Sequence, residues 1–263
     1  MNKKDRGFDW ASSFYDQTRK IPSSLLNQII HVLNERINFS YKTRFLEVGV
    51  GTGRLVIPIL MKTKHKMMVG IDISEEMVKK CLEKTKFDKD LYLLVCDGFN
   101  LPFSQKFDII LTSHVLHLVE EHFKFLNSLL DVLMLNGVYI YLEAYVNYQE
   151  SIPFKIFYNK LEELGYYRFF KDDLIRREIM VYLTRRNWIY EEINLSARQE
   201  ITIHNLVRFI RNRVFSHQRD IPEELYRSSL EYVFNEIEKK DINPLEKINI
   251  PAISRITIFR RKY

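Results

Sequence analysis

The run Phe45-Leu46-Glu47-Val48-Gly49-Val50-Gly51-Thr52-Gly53-Arg54 constrains this chain more than any other segment, because an apolar strand meets alternating glycines and then an apolar helical stretch. Glycine has no Cβ, so a strand can turn sharply into a helix there and leave main-chain N–H groups bare beside whatever lies above the sheet edge. Spacing narrows the ligand. A dinucleotide fingerprint reads G-x-G-x-x-G, whereas Gly49, Gly51 and Gly53 read G-x-G-x-G, which disfavours a nicotinamide dinucleotide. A phosphate loop carries Lys and then Ser or Thr after its last glycine. Arg54-Leu55 stands there instead, which disfavours a nucleoside triphosphate.

The segments that follow add acids at regular places. Val69-Gly70-Ile71-Asp72-Ile73-Ser74 is an apolar strand ending in an acid about twenty positions beyond the glycines, where a nucleotide-binding α/β fold puts the group that holds a ribose. A carboxylate accepts from both ribose hydroxyls. Asp72 is the candidate for that role, the other reading being a cap for the next helix, for which Ser74 is already well placed. Leu91 to Cys96 is a third strand, and it too ends in an acid, Asp97, followed by Gly98.

Leu46 to Arg54 closely resembles the first motif of the class I (Rossmann-like) methyltransferases that use S-adenosyl-L-methionine, and the chain is similar to the branch of that family acting on small molecules. The resemblance implies that Gly49, Gly51 and Gly53 lie against the methionine part of the cofactor and that Glu47 helps orient the loop. It also implies that Asp97 accepts from the adenine amino group, that backbone at Gly98 reads the ring, and that Ile73 and Met77 pack on adenine. Met77 is equally a candidate for the core of its own helix. Phe14-Tyr15-Asp16-Gln17-Thr18-Arg19 resembles a Tyr-Asp-x-x-Arg element that closes over the cofactor in this family, with Tyr15 covering it and Arg19 pairing with the methionine carboxylate. The other reading of Arg19 is an ordinary exposed arginine.

A fourth strand, Phe107 to Ser113, runs into His114-Val115-Leu116-His117. Ser113 and His114 are expected beside the cofactor, His114 through its backbone rather than its imidazole. His117 resembles a histidine that small-molecule members carry near this place, where it can take a proton from an acceptor; packing or a carbonyl hydrogen bond is the stronger reading. Glu143 and Tyr145 are further candidates near strand ends. The (Asp/Asn/Ser)-Pro-Pro-(Tyr/Phe) element of many amino methyltransferases is replaced by Thr112-Ser113-His114-Val115, which lowers the odds of an exocyclic amine in nucleic acid as target.

With 263 residues and 46% hydrophobic composition, the chain is long enough for one large core with an appended lid. The expected fold is α/β, a doubly wound, mainly parallel seven-stranded sheet with a helical N-terminal segment and a C-terminal helical insertion. Residues 1–40 form the cap, 41–150 the cofactor-binding core, and 151–263 complete the sheet and carry the lid, all in one compound domain. Short polar connections such as Asp88-Lys89-Asp90 separate the βαβ units. Pro22 to Ile37 reads as an amphipathic helix. Glu120 to Leu135 reads as another, ended by Asn136-Gly137 before a strand from Val138 to Leu142. Beyond it, Ser151–Leu164, Phe169–Arg186, Ile203–Phe215 and Pro222–Lys239 read as helices, and Trp188–Leu195 and Ser254–Arg260 as strands.

A formal charge of +6 is too small to define an anionic partner. Arg208 to Arg219 interleaves cations with aromatics, and a solvated helix face over buried Phe209, Val214 and Phe215 is favoured there over an RNA surface. Cys81 and Cys96 lack metal-site spacing and no metal is expected. No apolar leader or membrane-length run is evident, so a cytosolic protein is expected. The resemblance implies methyl transfer from S-adenosyl-L-methionine to a small-molecule acceptor, nucleic acid being unlikely, and the alternatives are an RNA methyltransferase or a non-catalytic cofactor-binding subunit.

Overall fold

The computed structural model describes residues 15–85, 90–167 and 172–262. Phe14 and the rest of residues 1–14, the Asp88-Lys89 connection and the expected helix start at Phe169 lie outside the described residues. Seven strands form one sheet in the order β3-β2-β1-β4-β5-β7-β6: β1 Arg44–Val48, β2 Met67–Asp72, β3 Leu91–Val95, β4 Phe107–Ser113, β5 Leu133–Val146, β6 Trp188–Thr202 and β7 Lys247–Arg261. The first five pair in parallel, while β7 runs antiparallel to both β5 and β6. Strand order reverses between β1 and β4. In open α/β sheets that reversal opens a crevice at the carboxyl ends of the strands, the usual ligand position.

Strands buried on both faces have near-continuous apolar sequence, and Phe45, Leu46 and Val48 in β1 and Ile109, Ile110 and Leu111 in β4 are all buried. Alternate residues feed two cores. On one face, Phe45, Met68, Leu111, Leu142 and Ile256 pack with α2 (Ser23–Arg36), α3 (Val56–Lys62), α6 (Ile152–Glu163), α8 (Ile203–Arg211) and α9 (Glu223–Lys239). On the other, Leu46, Val69, Ile110, Tyr139 and Phe259 pack with α5 (His122–Asp131) and α7 (Asp172–Thr184). The helix of Pro22 to Ile37 is α2. Its Leu25, Ile29, Ile30 and Leu33 are buried, and Arg36 at its end pairs with Glu191 of β6 at 2.8 Å.

Three expectations are corrected. The helix read over Glu120 to Leu135 ends at Asp131, and Asn136-Gly137 lies inside β5 rather than between elements. Phe107 pairs with Leu133 but Ile109 with Val138, so Met134 to Gly137 are absorbed in a register shift along the strand. The helix read over Ile203 to Phe215 stops at Arg211, since Asn212 caps it and Arg213 turns at φ +47°. Both closing strands are longer than their apolar cores: β6 reaches Thr202 and β7 begins at Lys247, because the register continues through polar pairs such as Glu200 with Asn249.

Candidate cofactor and acceptor site

Gly49, Gly51 and Gly53 all take positive φ, at +76°, +54° and +83°. A Cβ on Gly49 would stand 2.1 Å from Val115 Cγ2, so the loop after β1 and the loop after β4 touch only because a side chain is missing. A Cβ on Gly51 would meet nothing within 4 Å. That glycine faces open space above the sheet edge.

The N–H groups of this turn are not left bare. Those of Gly49 and Val50 donate to the Ile71 carbonyl at 2.8 and 2.9 Å, and that of Gly53 to Val50 at 3.0 Å. Gly51 donates to Asp72 Oδ2 at 2.8 Å, while Asp72 Oδ1 accepts from Ser74 N–H at 2.9 Å. Asp72 therefore fastens the glycine turn to the start of α4 (Glu75–Thr85). Ser74 caps that helix as expected, its Oγ accepting from Met77 N–H at 3.2 Å. With these amides spent internally, the crevice rim is rich in acceptors and suits a ligand that brings donors or positive charge.

Acids end three adjacent strands here. Glu47 is 2% exposed, and desolvation raises its carboxyl to about 8 against the opposing pull of Arg54 and a Val56 backbone hydrogen bond. Its Oε2 has no hydrogen-bond partner among the described residues, nor has the buried Ser113 Oγ. Asp97 is half-buried and its Oδ1 accepts from Phe99 N–H at 3.0 Å. Gly98 is required by packing, since a Cβ would stand 2.4 Å from the Phe125 ring. Ile73 is 49% exposed after β2, whereas Met77 is buried. Two orphaned buried oxygens, the open side of Gly51 and an exposed apolar residue beside Asp72 fit an adenosyl ligand with an amino group and a cationic sulfur.

His114 sits at φ +55° directly after β4, and its Nε2 lies 3.1 Å from both the N and O of Ala144. The imidazole thus extends the β4–β5 ladder by one rung, and burial beside Arg54 drives its pKa well below the usual histidine value. His117, in a short turn, is half-buried with its ring 6.1 Å from that of His114, and the Tyr145 ring lies 6.4 Å from that of His114. Glu143 is not grouped with them: its Oε2 is 3.6 Å from Arg176 Nε and 3.7 Å from Arg255 Nη1, and Arg176 also pairs with Glu192. That quartet, buried at Glu143 and Arg176 and more open at Glu192 and Arg255, ties α7 to the sheet.

The segment before α2 docks onto the glycine turn through residues that sequence reading passed over. In α1 (Tyr15–Thr18), Asp16 accepts from Thr52 Oγ1 at 2.6 Å and pairs with Lys84 Nζ at 2.6 Å, while Lys84 also donates to the Thr52 carbonyl. Arg54 Nη1 donates to the Arg19 carbonyl at 2.9 Å. The Arg19 guanidinium lies 4.4 Å from the centroid of the Phe215 ring, and half-buried Tyr15 accepts at its carbonyl from Arg19 N–H. The one available signal was Asp16 inside the Tyr-Asp-x-x-Arg element; nothing local marks Thr52 or Lys84.

Among the described residues no cluster of three or more His, Cys, Asp or Glu is arranged to hold a metal, and no helix is long and apolar enough to cross a membrane.

Comparison with known proteins gives the same picture. Residues 46–141 match the model of a methyltransferase domain. An uncharacterized protein of Methanocaldococcus jannaschii is 32% identical over 131 residues, 49% of this chain and 57% of its own length. Demethylmenaquinone methyltransferase of Staphylococcus haemolyticus is 29% identical over 141 residues, 52% of this chain and 59% of its length. The chain thus spans under two thirds of these relatives. Phosphoethanolamine N-methyltransferase 2 of Haemonchus contortus, solved with phosphomonomethylethanolamine and S-adenosylhomocysteine, shares the fold at a TM-score of 0.54 and 14% identity, over 98% of this chain and 59% of that one. With the glycine turn, the row of acids and the sheet order in hand, these matches show a methyltransferase domain over residues 46–141, set in the seven-stranded fold of the Rossmann-like methyltransferases.

Proposed function

We propose that this protein transfers a methyl group from S-adenosyl-L-methionine to a small-molecule acceptor. The observation that carries the cofactor is the pair of orphaned buried oxygens, Glu47 Oε2 and Ser113 Oγ, flanking the strand-order reversal beside the open face of Gly51. Asp72 holds the ribose, Asp97 and the Gly98 backbone read the adenine, Ile73 packs on it, and Arg19 and Tyr15 close over the amino-acid end. Ser113 and the His114 backbone line the floor, and Met77 supports the adenine side from within α4. The cofactor supplies a methyl group already activated by positive sulfur, so the protein's share is orientation and exclusion of water. The Asp16–Thr52–Lys84 contacts hold the covering segment down. His117 is the group on hand to accept a proton when the acceptor arrives protonated.

The small-molecule reading draws support from the relatives, one a demethylmenaquinone methyltransferase and one a phosphoethanolamine methyltransferase. Buried Phe209, Val214 and Phe215 leave the basic stretch from Arg208 as a helix face rather than a stacking platform. Incubation with S-adenosyl-L-methionine and a panel of quinols, amino alcohols and carboxylic acids, read as S-adenosylhomocysteine formed, tests the proposal. Turnover with one class supports it. Turnover with RNA alone, accompanied by steeply salt-dependent RNA retention, contradicts it.

A further inference from the structure

Between α8 and α9 the chain makes a tight connection that carries Phe215 toward the N-terminal segment. Phe215 is 7% exposed, and it is pinned from both sides of its own turn: its N–H donates to Gln218 Oε1 at 3.1 Å, and its carbonyl accepts from Gln218 N–H at 2.9 Å. Gln218 is itself fully buried. One face of the Phe215 ring is backed by His217, stacked at 17° and 5.6 Å, whose Nε2 meets Tyr158 OH of α6 at 2.6 Å. Its edge meets Phe154 at 5.7 Å, and Tyr148 lies 5.6 Å away. Against this ring rests the Arg19 guanidinium, at 4.4 Å from the centroid.

We propose that Phe215 is a positioning residue for the cofactor site, its ring orienting the Arg19 guanidinium for the carboxylate of the bound methionine moiety and so coupling the C-terminal helices to cofactor binding. This rests on the cofactor reading above and on Arg19 as the carboxylate's partner. A long arginine side chain has several rotatable bonds, and a stacked ring removes much of that freedom before the ligand arrives. The backbone end of Arg19 is fixed as well, its carbonyl held by Arg54. The two anchors, Arg54 and Phe215, come from distant parts of the chain. Preorganisation of this kind raises affinity by lowering the ordering cost of binding.

The test compares two ligands that differ at the amino-acid end: S-adenosylhomocysteine, which carries the carboxylate, and 5′-methylthioadenosine, which lacks it. Calorimetric dissociation constants are measured for the wild type, Phe215→Leu, Phe215→Tyr, Arg19→Ala and the Phe215→Leu/Arg19→Ala pair. Phe215→Leu is expected to weaken S-adenosylhomocysteine about tenfold, the scale of a partly desolvated cation–π contact, and to leave 5′-methylthioadenosine within about twofold. Phe215→Tyr retains wild-type discrimination, and Phe215→Leu adds nothing once Arg19 is gone. Equal weakening of both ligands in Phe215→Leu, or discrimination lost only in Arg19→Ala, overturns the role of Phe215 while leaving the cofactor reading intact. Unchanged discrimination in Arg19→Ala removes Arg19 from the carboxylate, and Phe215 with it. A wild type that binds neither ligand overturns the cofactor reading itself.

Discussion

Strands β3, β2, β1 and β4 pair in parallel over short spans and end at turns where one residue type is required, whereas β5, β7 and β6 build a long antiparallel ladder with few such positions. In the first region the geometry is set by absent atoms and by single acids, as at Gly49 against Val115 and at Asp72 between Gly51 and Ser74. In the second it is set by pairing and by distributed charge, as in the Glu143–Arg176–Glu192–Arg255 quartet. The lesson is a division of labour. Under the proposed function, the cofactor takes fixed contacts from the first region, while the long ladder and its helices are left to shape an acceptor pocket.

The comparison breaks most visibly at the quartet. Arg176→Met leaves the buried Glu143 carboxylate with less countercharge, and should destabilise the fold by about 3–5 kcal/mol, read by chemical denaturation, while affinity for S-adenosylhomocysteine per folded molecule stays within about twofold. A large loss of that affinity would show the two regions to be coupled.

Next in size is Gly49→Ala. The added methyl collides with Val115 at a positive φ, so about 2–4 kcal/mol of stability should be lost together with cofactor binding. Gly51→Ala sharpens the point, because its Cβ meets nothing in the protein; it should cost only about 1–2 kcal/mol of backbone strain and still impair binding. Equal melting temperatures for the two variants would contradict the packing account.

A gradual, pH-dependent effect belongs to Glu47. Its folded pKa is raised from 4.5 to about 8, so the folded state holds a proton that the unfolded state has released between those values. Stability from this group is complete below the unfolded pKa and is lost as pH rises through the folded one. Relative to Glu47→Gln, the wild type should lose up to about 1.4 kcal/mol per pH unit across that window. Parallel stability profiles for the two proteins would remove Glu47 as a protonated buried acid.

The first region was largely legible in the sequence. Apolar runs ended by Gly49, Asp72 and Asp97 announce the first three strands, because each residue type is demanded locally. The N–H groups of the glycine turn were misjudged, since their acceptors, Ile71 and Asp72, belong to the next strand. The same limit hid the Asp16–Thr52–Lys84 contacts and the arginine partners of Glu143, which meet only after the sheet assembles. The ends of β6 and β7 were missed because their outer pairs are polar, and β5 because Asn136-Gly137 resembles a turn while serving a register shift.

The central claim is that the crevice above β1, β2 and β3 binds an adenosyl cofactor through the acids that end those strands. Calorimetric titration of the wild type and Asp72→Ala with S-adenosylhomocysteine tests it directly, with thermal melting to confirm that both are folded. Saturable one-to-one binding by the wild type, weakened by about 1–3 kcal/mol in a folded Asp72→Ala, is the result predicted. Unchanged affinity in the variant, or no binding by the folded wild type, would contradict it.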